Sequence, residues 1–437
     1  MTPYAIRTAT PPCARAARPA QWPPMPHPAH PLSAFLLAAA LALPGAAPAP
    51  ARAQAAAPDW AAFDGAPFPT DSLRDHLGRV RAALLALEKH PGMDQPLPLR
   101  ATVTVESRTG VRRLRIRDFQ FLSDGARNTA EYNLGPGSWP TLVGVLGSAV
   151  AQEFVVQAAR RGIPLDALEV VFTGRPGSGS PGAGAARVTY PRDLTYTAHL
   201  VSPAPDAQLE DLRRAVEQAS PILQLLRTPQ PIAPGTLELA PSPAERRARS
   251  LDGLREFLAD KRAASAGARP PEAPSRFETR RPQPPGEPPL RAHVTIAGGT
   301  GLRHIRTDVS DFQLLHDSPR YLAGHNLAPT AEEHMLGVMI TCLAHIYEIQ
   351  AAQQQVALDA LELEVEGTLT SRPGRTEPPP RFRDLRYRVY LTSPEPRERI
   401  ARLQAAVEAS CPIYNLLKDG QPIQGQIVRG LPAATVR

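Results

Sequence analysis

Two cysteines are the residues in this sequence best suited to chemistry. Cys342 sits in the middle of a long apolar run, and Cys411 stands directly before Pro412, some seventy residues later. The nucleophilic form of a cysteine is the thiolate, while a free thiol ionises only near pH 8.5; a reactive buried cysteine therefore needs a cation beside it. Two plainer roles compete with reactivity. A cysteine on an apolar helix serves as a small hydrophobe, and a lone pair in an exported chain defaults to a structural disulfide. His304, His316, His325 and His334 do not follow the ligand spacing of zinc sites, so no metal centre and no organic cofactor are expected.

The elements that must position the two thiols can be read from periodicity. Residues 330–353 form the clearest helix in the chain. Thr330 and Glu333 have capping-box spacing, and the residues that follow (HMLGVMITCLAHIYEI) are apolar around most of the circumference, which places them in a core or an interface. Residues 397–418 read as an amphipathic helix interrupted at Cys411-Pro412, because proline has no N–H to give the preceding turn. Segments 101–105, 292–296, 361–367 and 387–392 alternate like half-buried strands, and 72–89 and 250–262 have helical spacing. The fold class is α+β.

The same elements are written twice. Pro98-Leu99-Arg100-Ala101 returns as Pro289-Leu290-Arg291-Ala292, Asp118-Phe119-Gln120 as Asp311-Phe312-Gln313, and Leu165-Asp166-Ala167-Leu168-Glu169 as Leu358-Asp359-Ala360-Leu361-Glu362. Arg192-Asp193-Leu194 returns as Arg383-Asp384-Leu385, and Ser220-Pro221-Ile222 as Cys411-Pro412-Ile413, always at an offset of 191 or 193. On these offsets Arg320 recurs as Arg127 and Arg306 as Arg113. The units run over 72–232 and 250–423, with a linker at 233–249, a Pro-rich insert at 265–288 in the second unit and a tail at 424–437.

Repeat two resembles the OsmC/Ohr family of hydroperoxide-reducing proteins. The residues that carry the likeness are Asp317-x-Pro319-Arg320, Pro329-Thr330-Ala331-Glu332-Glu333, Ile340-Thr341-Cys342-Leu343, Glu364-x-Glu366-Gly367 and Ala409-Ser410-Cys411-Pro412-Ile413. The resemblance implies a two-cysteine peroxidase that needs no cofactor: Cys342 attacks, Cys411 resolves, and Glu332 orients an arginine, Arg320 or Arg306, that keeps the thiolate ionised. Its partners would be a small hydroperoxide and an external dithiol reductant. A sulfenic acid formed by attack on a peroxide is converted by a neighbouring thiol to a disulfide before it oxidises further. The resemblance also implies an intrachain pseudo-dimer of two OsmC-like units, with long central apolar helices packed on antiparallel sheets. Repeat one departs from the pattern, since Ala149, Ser220 and Trp139 replace Cys342, Cys411 and Glu332. Glu332 and Cys342 are ten residues apart, about 15 Å along a straight helix. A site shared between the repeats would therefore set Cys342 against Trp139 rather than an acid. The rival expectation is a non-catalytic binding or stress protein whose cysteines form a structural disulfide.

Bulk composition bounds these readings. The 437 residues suffice for two domains of ordinary size, and Lys+Arg exceeds Asp+Glu by only 49 to 42, with the arginines scattered. That excess speaks to solubility and not to a nucleic-acid partner. The N-terminus reads as a leader over 1–53, with Arg7, Arg15 and Arg18 preceding the apolar run 32–43 and small residues Ala51 and Ala53 at a cleavage site; Met25 is a second candidate start. A linker, 54–71, follows. The expected address is the periplasm or the exterior, with no later segment crossing a membrane.

Overall fold

The computed structural model describes residues 72–89, 96–125, 129–177, 190–239, 251–266, 289–308, 312–370, 374–376 and 378–432. The expected leader, its following linker, most of the 265–288 insert, Arg127 and Asp311 lie outside the described residues. Repeat one supplies α1 (Leu73–Glu88), β1 (Leu97–Val105), β2 (Arg112–Ile116), β3 (Phe119–Ser123), α2 (Ser138–Arg161), β4 (Ala167–Arg175), β5 (Arg192–Val201), α3 (Asp206–Ala219), α4 (Pro221–Arg227) and β6 (Thr236–Glu238). Repeat two supplies α5 (Leu251–Ser265), β7 (Leu290–Ala297), β8 (Leu302–Thr307), β9 (Gln313–His316), α6 (Ala331–Gln354), β10 (Ala360–Thr370), β11 (Arg381–Thr392), α7 (Arg397–Ser410), α8 (Pro412–Asp419) and β12 (Gln424–Arg429).

The strands assemble into two six-stranded sheets, each built from both halves of the chain. One has the order β3-β2-β1-β10-β11-β6 and the other β12-β5-β4-β7-β8-β9. The seams are antiparallel: β1 pairs β10 with Ala101 opposite Val365, and β4 pairs β7 with Val170 opposite Val294. Alternation explains the register, because Ala101, Val103 and Val105 turn inward with the polar residues between them facing out. The fold is α+β, and Pro67–Arg437 forms one compact unit.

Two segments read from sequence as connector and tail are strands. Thr236–Glu238 pairs in parallel with β11, and Gln424–Arg429 pairs in parallel with β5, so the sheets are antiparallel except at these edges. Their residues are mostly polar and exposed, which leaves little alternation to detect. The repeated Arg-Asp-Leu motif has a local cause. Asp193 and Asp384 adopt φ of 53° and 55°, where aspartate is tolerated better than most side chains, near register breaks in the β4–β5 and β10–β11 pairs.

The long helices α2 and α6 pack against each other and against the inner faces of the sheets. The capping box at Thr330 and Glu333 is present. By length and composition both helices are apolar enough to cross a bilayer, contrary to the expectation that no segment after the leader qualifies. Within the protein, 94% and 78% of their most apolar windows are buried. Their hydrophobicity is thus absorbed by the core.

Because each half completes the other's sheets, residues 250–437 expressed alone leave β10 without β1 and β7 without β4. That fragment should show no cooperative denaturant transition by circular dichroism, and adding residues 1–249 should restore one.

Candidate functional site

Cys342 lies midway along α6, and Cys411 occupies the break between α7 and α8, with an extended ψ of 117° imposed ahead of Pro412. The two sulfurs are 3.6 Å apart, both are free thiols, and the Cys411 S–H points at Cys342 Sγ. Cys411 is also the N-cap of α8, so the unpaired N–H groups of that helix's first turn face the sulfurs. At the matching junction of repeat one, the Ser220 hydroxyl accepts from Leu223 N–H and simply caps α4.

The guanidinium whose charge acts on Cys342 comes from the other repeat. Burial alone would push the Cys342 thiol up. The Cys411 S–H, the Ile413 N–H, the Ser138 hydroxyl and the Arg112 charge outweigh it and hold the thiol below its ordinary value. Cys411 moves the other way, raised by burial and by the sulfur next to it. The order of ionisation is therefore fixed: Cys342 first.

Arg112 is 1% exposed on β2 and is held by carboxylates from two directions. Its Nη1 donates to Glu131 Oε1 at 2.8 Å and to Glu348 Oε2 at 2.7 Å. Lys261, from α5, lies 3.2 Å from Glu131 Oε2 and 3.3 Å from Glu348 Oε2, and His345 lies 3.4 Å from Glu131. Burial would raise the Glu131 carboxyl, but His345, Arg112 and Lys261 hold it far below the usual carboxylate range. Glu348 is raised to about 7, burial exceeding the pull of Arg112 and Lys261. With Glu348 protonated part of the time, the cluster keeps surplus positive charge toward Cys342. Glu131, His345 and Glu348 bring their ligand atoms within 4.8 Å of one another. Arg112 and Lys261 already contact the same carboxylates, which makes the group an ion cluster and a poor cation site.

Sequence reasoning had selected different arginines. Arg320 is exposed on the 3₁₀ turn Arg320–Leu322, and Arg306 is half-buried on β8 between His293 and Gln313. The charge that lowers the Cys342 thiol is that of Arg112. Glu332 is half-buried in the first turn of α6, ten residues from Cys342 on a continuous helix, and the guanidinium near it is Arg303. The acid absent at Trp139 is supplied instead by Glu131 and Glu348. Of the four histidines without zinc-ligand spacing, His316 Nε2 and His334 Nδ1 share a 2.8 Å hydrogen bond, while His304 and His325 are exposed.

A signal for Arg112 was present. Thr109-Gly110-Val111-Arg112 matches Thr300-Gly301-Leu302-Arg303, and both glycines occupy hairpin turns at positive φ, 65° and 69°. Strand pairing agrees, with Leu114 opposite Val103 and Ile305 opposite Val294. Arg306 therefore corresponds to Arg115, not Arg113. The buried pair is Arg112 and Arg303, both 1% exposed.

Residues 324–425 match the family model described as "OsmC-like protein". The likeness to that family lies in this segment, which spans the long apolar helix α6 and both cysteines. No curated protein matches the chain. Among solved structures, an OsmC-like protein from Mycoplasma pneumoniae is 19% identical to it, over 29% of this chain and 84% of that one, with a TM-score of 0.24. In this OsmC-like segment, Cys342 and Cys411 fall on the two sides of one contact, and repeat one delivers the cation.

The cluster makes a stability prediction. Glu131→Gln leaves two buried cations sharing one raised carboxyl, and the unfolding free energy in urea at pH 7 should fall by about 3–5 kcal/mol. Since the folded-state value of Glu131 is depressed, its contribution is complete above the unfolded value of about 4.3 and is lost as pH falls toward the folded one. Variant and parent should converge as the titration descends from about pH 5.

Proposed function

We propose that this chain is a thiol-dependent peroxidase in which two OsmC-like units form a pseudo-dimer within one polypeptide, with Cys342 attacking and Cys411 resolving. The observation that carries the reading is the 3.6 Å contact between the sulfurs at the α8 N-terminus, with the Arg112 charge acting on Cys342. Cys342 thiolate attacks the distal oxygen of a hydroperoxide: the S–O bond forms, the O–O bond breaks, and the alkoxide leaves and takes a proton to become the alcohol. Cys342 is now a sulfenic acid. The Cys411 thiol displaces its hydroxyl as water, forming the disulfide. An external dithiol reduces this disulfide by two exchange steps and is itself oxidised to a disulfide.

Arg112 fits the first step. A guanidinium stays charged, stabilises the thiolate, and can donate to the leaving oxygen. Glu131 and Glu348 keep its fork in place. The substrate class is organic hydroperoxides or hydrogen peroxide, and the leader-like N-terminus supports a site of action outside the cytoplasm.

A second reading, a binding protein with a structural disulfide, is favoured by burial, since Cys342 is 3% and Cys411 0% exposed. Peroxide consumption separates the two. Fully reduced protein should consume one equivalent of cumene hydroperoxide, and turn over with dihydrolipoamide. Cys342→Ser should abolish both reactions, and Cys411→Ser should consume peroxide but accumulate sulfinic acid by mass spectrometry. Arg112→Gln should slow the first step by about tenfold or more, one decade per unit of thiol ionisation. Inert reduced protein would leave only the binding reading.

A further inference from the structure

Arg303 lines a cavity in the part of the fold that corresponds to the cysteine site. It is 1% exposed, on β8, where Arg112 is on β2. Unlike Arg112, it meets only neutral oxygens: its Nε donates to Ser148 Oγ at 3.1 Å, and its Nη1 to Gln152 Oε1 and to Ser318 Oγ at 3.1 Å. Among the described residues it forms no salt bridge, and the charges of Glu332 and Asp317 reach it only from farther off. A buried guanidinium without an anion is costly unless something supplies one.

Beside it is a cleft enclosing about 690 Å³ of empty space, part of it open to solvent. Arg303, Gln152 and Ser318 line its polar end, and Leu99, Val156 and Leu369 line its apolar wall. Ala149 and Ser220 stand at the positions matching the two thiols, so no thiol chemistry operates here.

We infer that this cleft is a binding site for a small monocarboxylate with an apolar tail, the carboxylate seated on Arg303 and the tail along Leu99, Val156 and Leu369. A single guanidinium at the polar end of a cleft, beside an apolar wall, suits one anionic charge rather than a phosphate's two. Glu153 and Glu332 also border the cleft. Burial raises both carboxyls, Glu153 to about 7, so a bound carboxylate meets groups able to share a proton with it and not two fixed anions. The site stands independently of the proposed peroxidase.

Calorimetric titration of the full chain with octanoate tests this. Saturable binding with one site per chain is expected, unchanged in the Cys342→Ser/Cys411→Ser double variant. Arg303→Gln should weaken it by about tenfold or more, the loss of a charged hydrogen-bonded contact. Leu97→Trp, at an exposed residue on the cleft's rim, should block binding while the protein melts cooperatively, which keeps the test valid should Arg303→Gln fail to fold. Absence of octanoate binding, equal binding of octanol, or octanoate binding undiminished by Leu97→Trp would overturn the inference.

Discussion

A guanidinium sealed from water must find its counter-charges inside the protein, and for Arg112 they arrive from distant parts of the chain. Glu131 comes from the loop before α2, Glu348 from the far half of α6, and Lys261 from α5, which carries the same two carboxylates from the other side. The Glu131 loop is itself pinned by Asp124, whose carboxylate accepts N–H bonds from Gly125, Tyr132 and Leu134. This network ties the first half of the polypeptide to the second at the point where Cys342 is buried. Breaking one member strands the rest, which is why such clusters fix geometry more than they add stability.

The two halves have divided their equipment unequally. The cysteine site holds Arg112, Glu131, Glu348 and both thiols. Its counterpart holds Arg303 and Glu332 but has Ala149, Ser220 and Gln152 where Cys342, Cys411 and His345 stand. The covering helices differ in the same sense. Leu73, His76, Leu77 and Val80 on α1 match Leu254, Phe257, Leu258 and Lys261 on α5, so a buried lysine replaces a buried valine. One charge on a covering helix thus distinguishes an ion cluster from an apolar lid.

Much of this was legible in the residues because the signals were local. The duplication, the capping box at Thr330, the apolar helix around Cys342 and the break at Cys411-Pro412 each depend on neighbours within a few positions. The strands Thr236–Glu238 and Gln424–Arg429 were not legible, since they are short and largely polar and are defined by the sheet edge they join. The arginine at the thiol was missed for another reason. A constant offset of 193 was carried into a hairpin where 191 applies, so Arg306 was matched to Arg113 and the recurrence of Arg112 as Arg303 was lost. Exchange of strands between repeats also separates partners by more than a hundred positions, and no periodicity reports that.

The strand order has a consequence for solubility. Six of the eight inner strands, β1, β10, β11, β4, β5 and β7, run to eight residues or more, whereas the four outermost in the two described sheets are β3, β6, β9 and β12, none longer than six. Weaving the halves together places the long seam strands β1, β10, β4 and β7 between neighbours, so that their backbones are not presented at a sheet edge. A duplicated chain of this kind carries its own protection against fibre growth, provided both copies fold together.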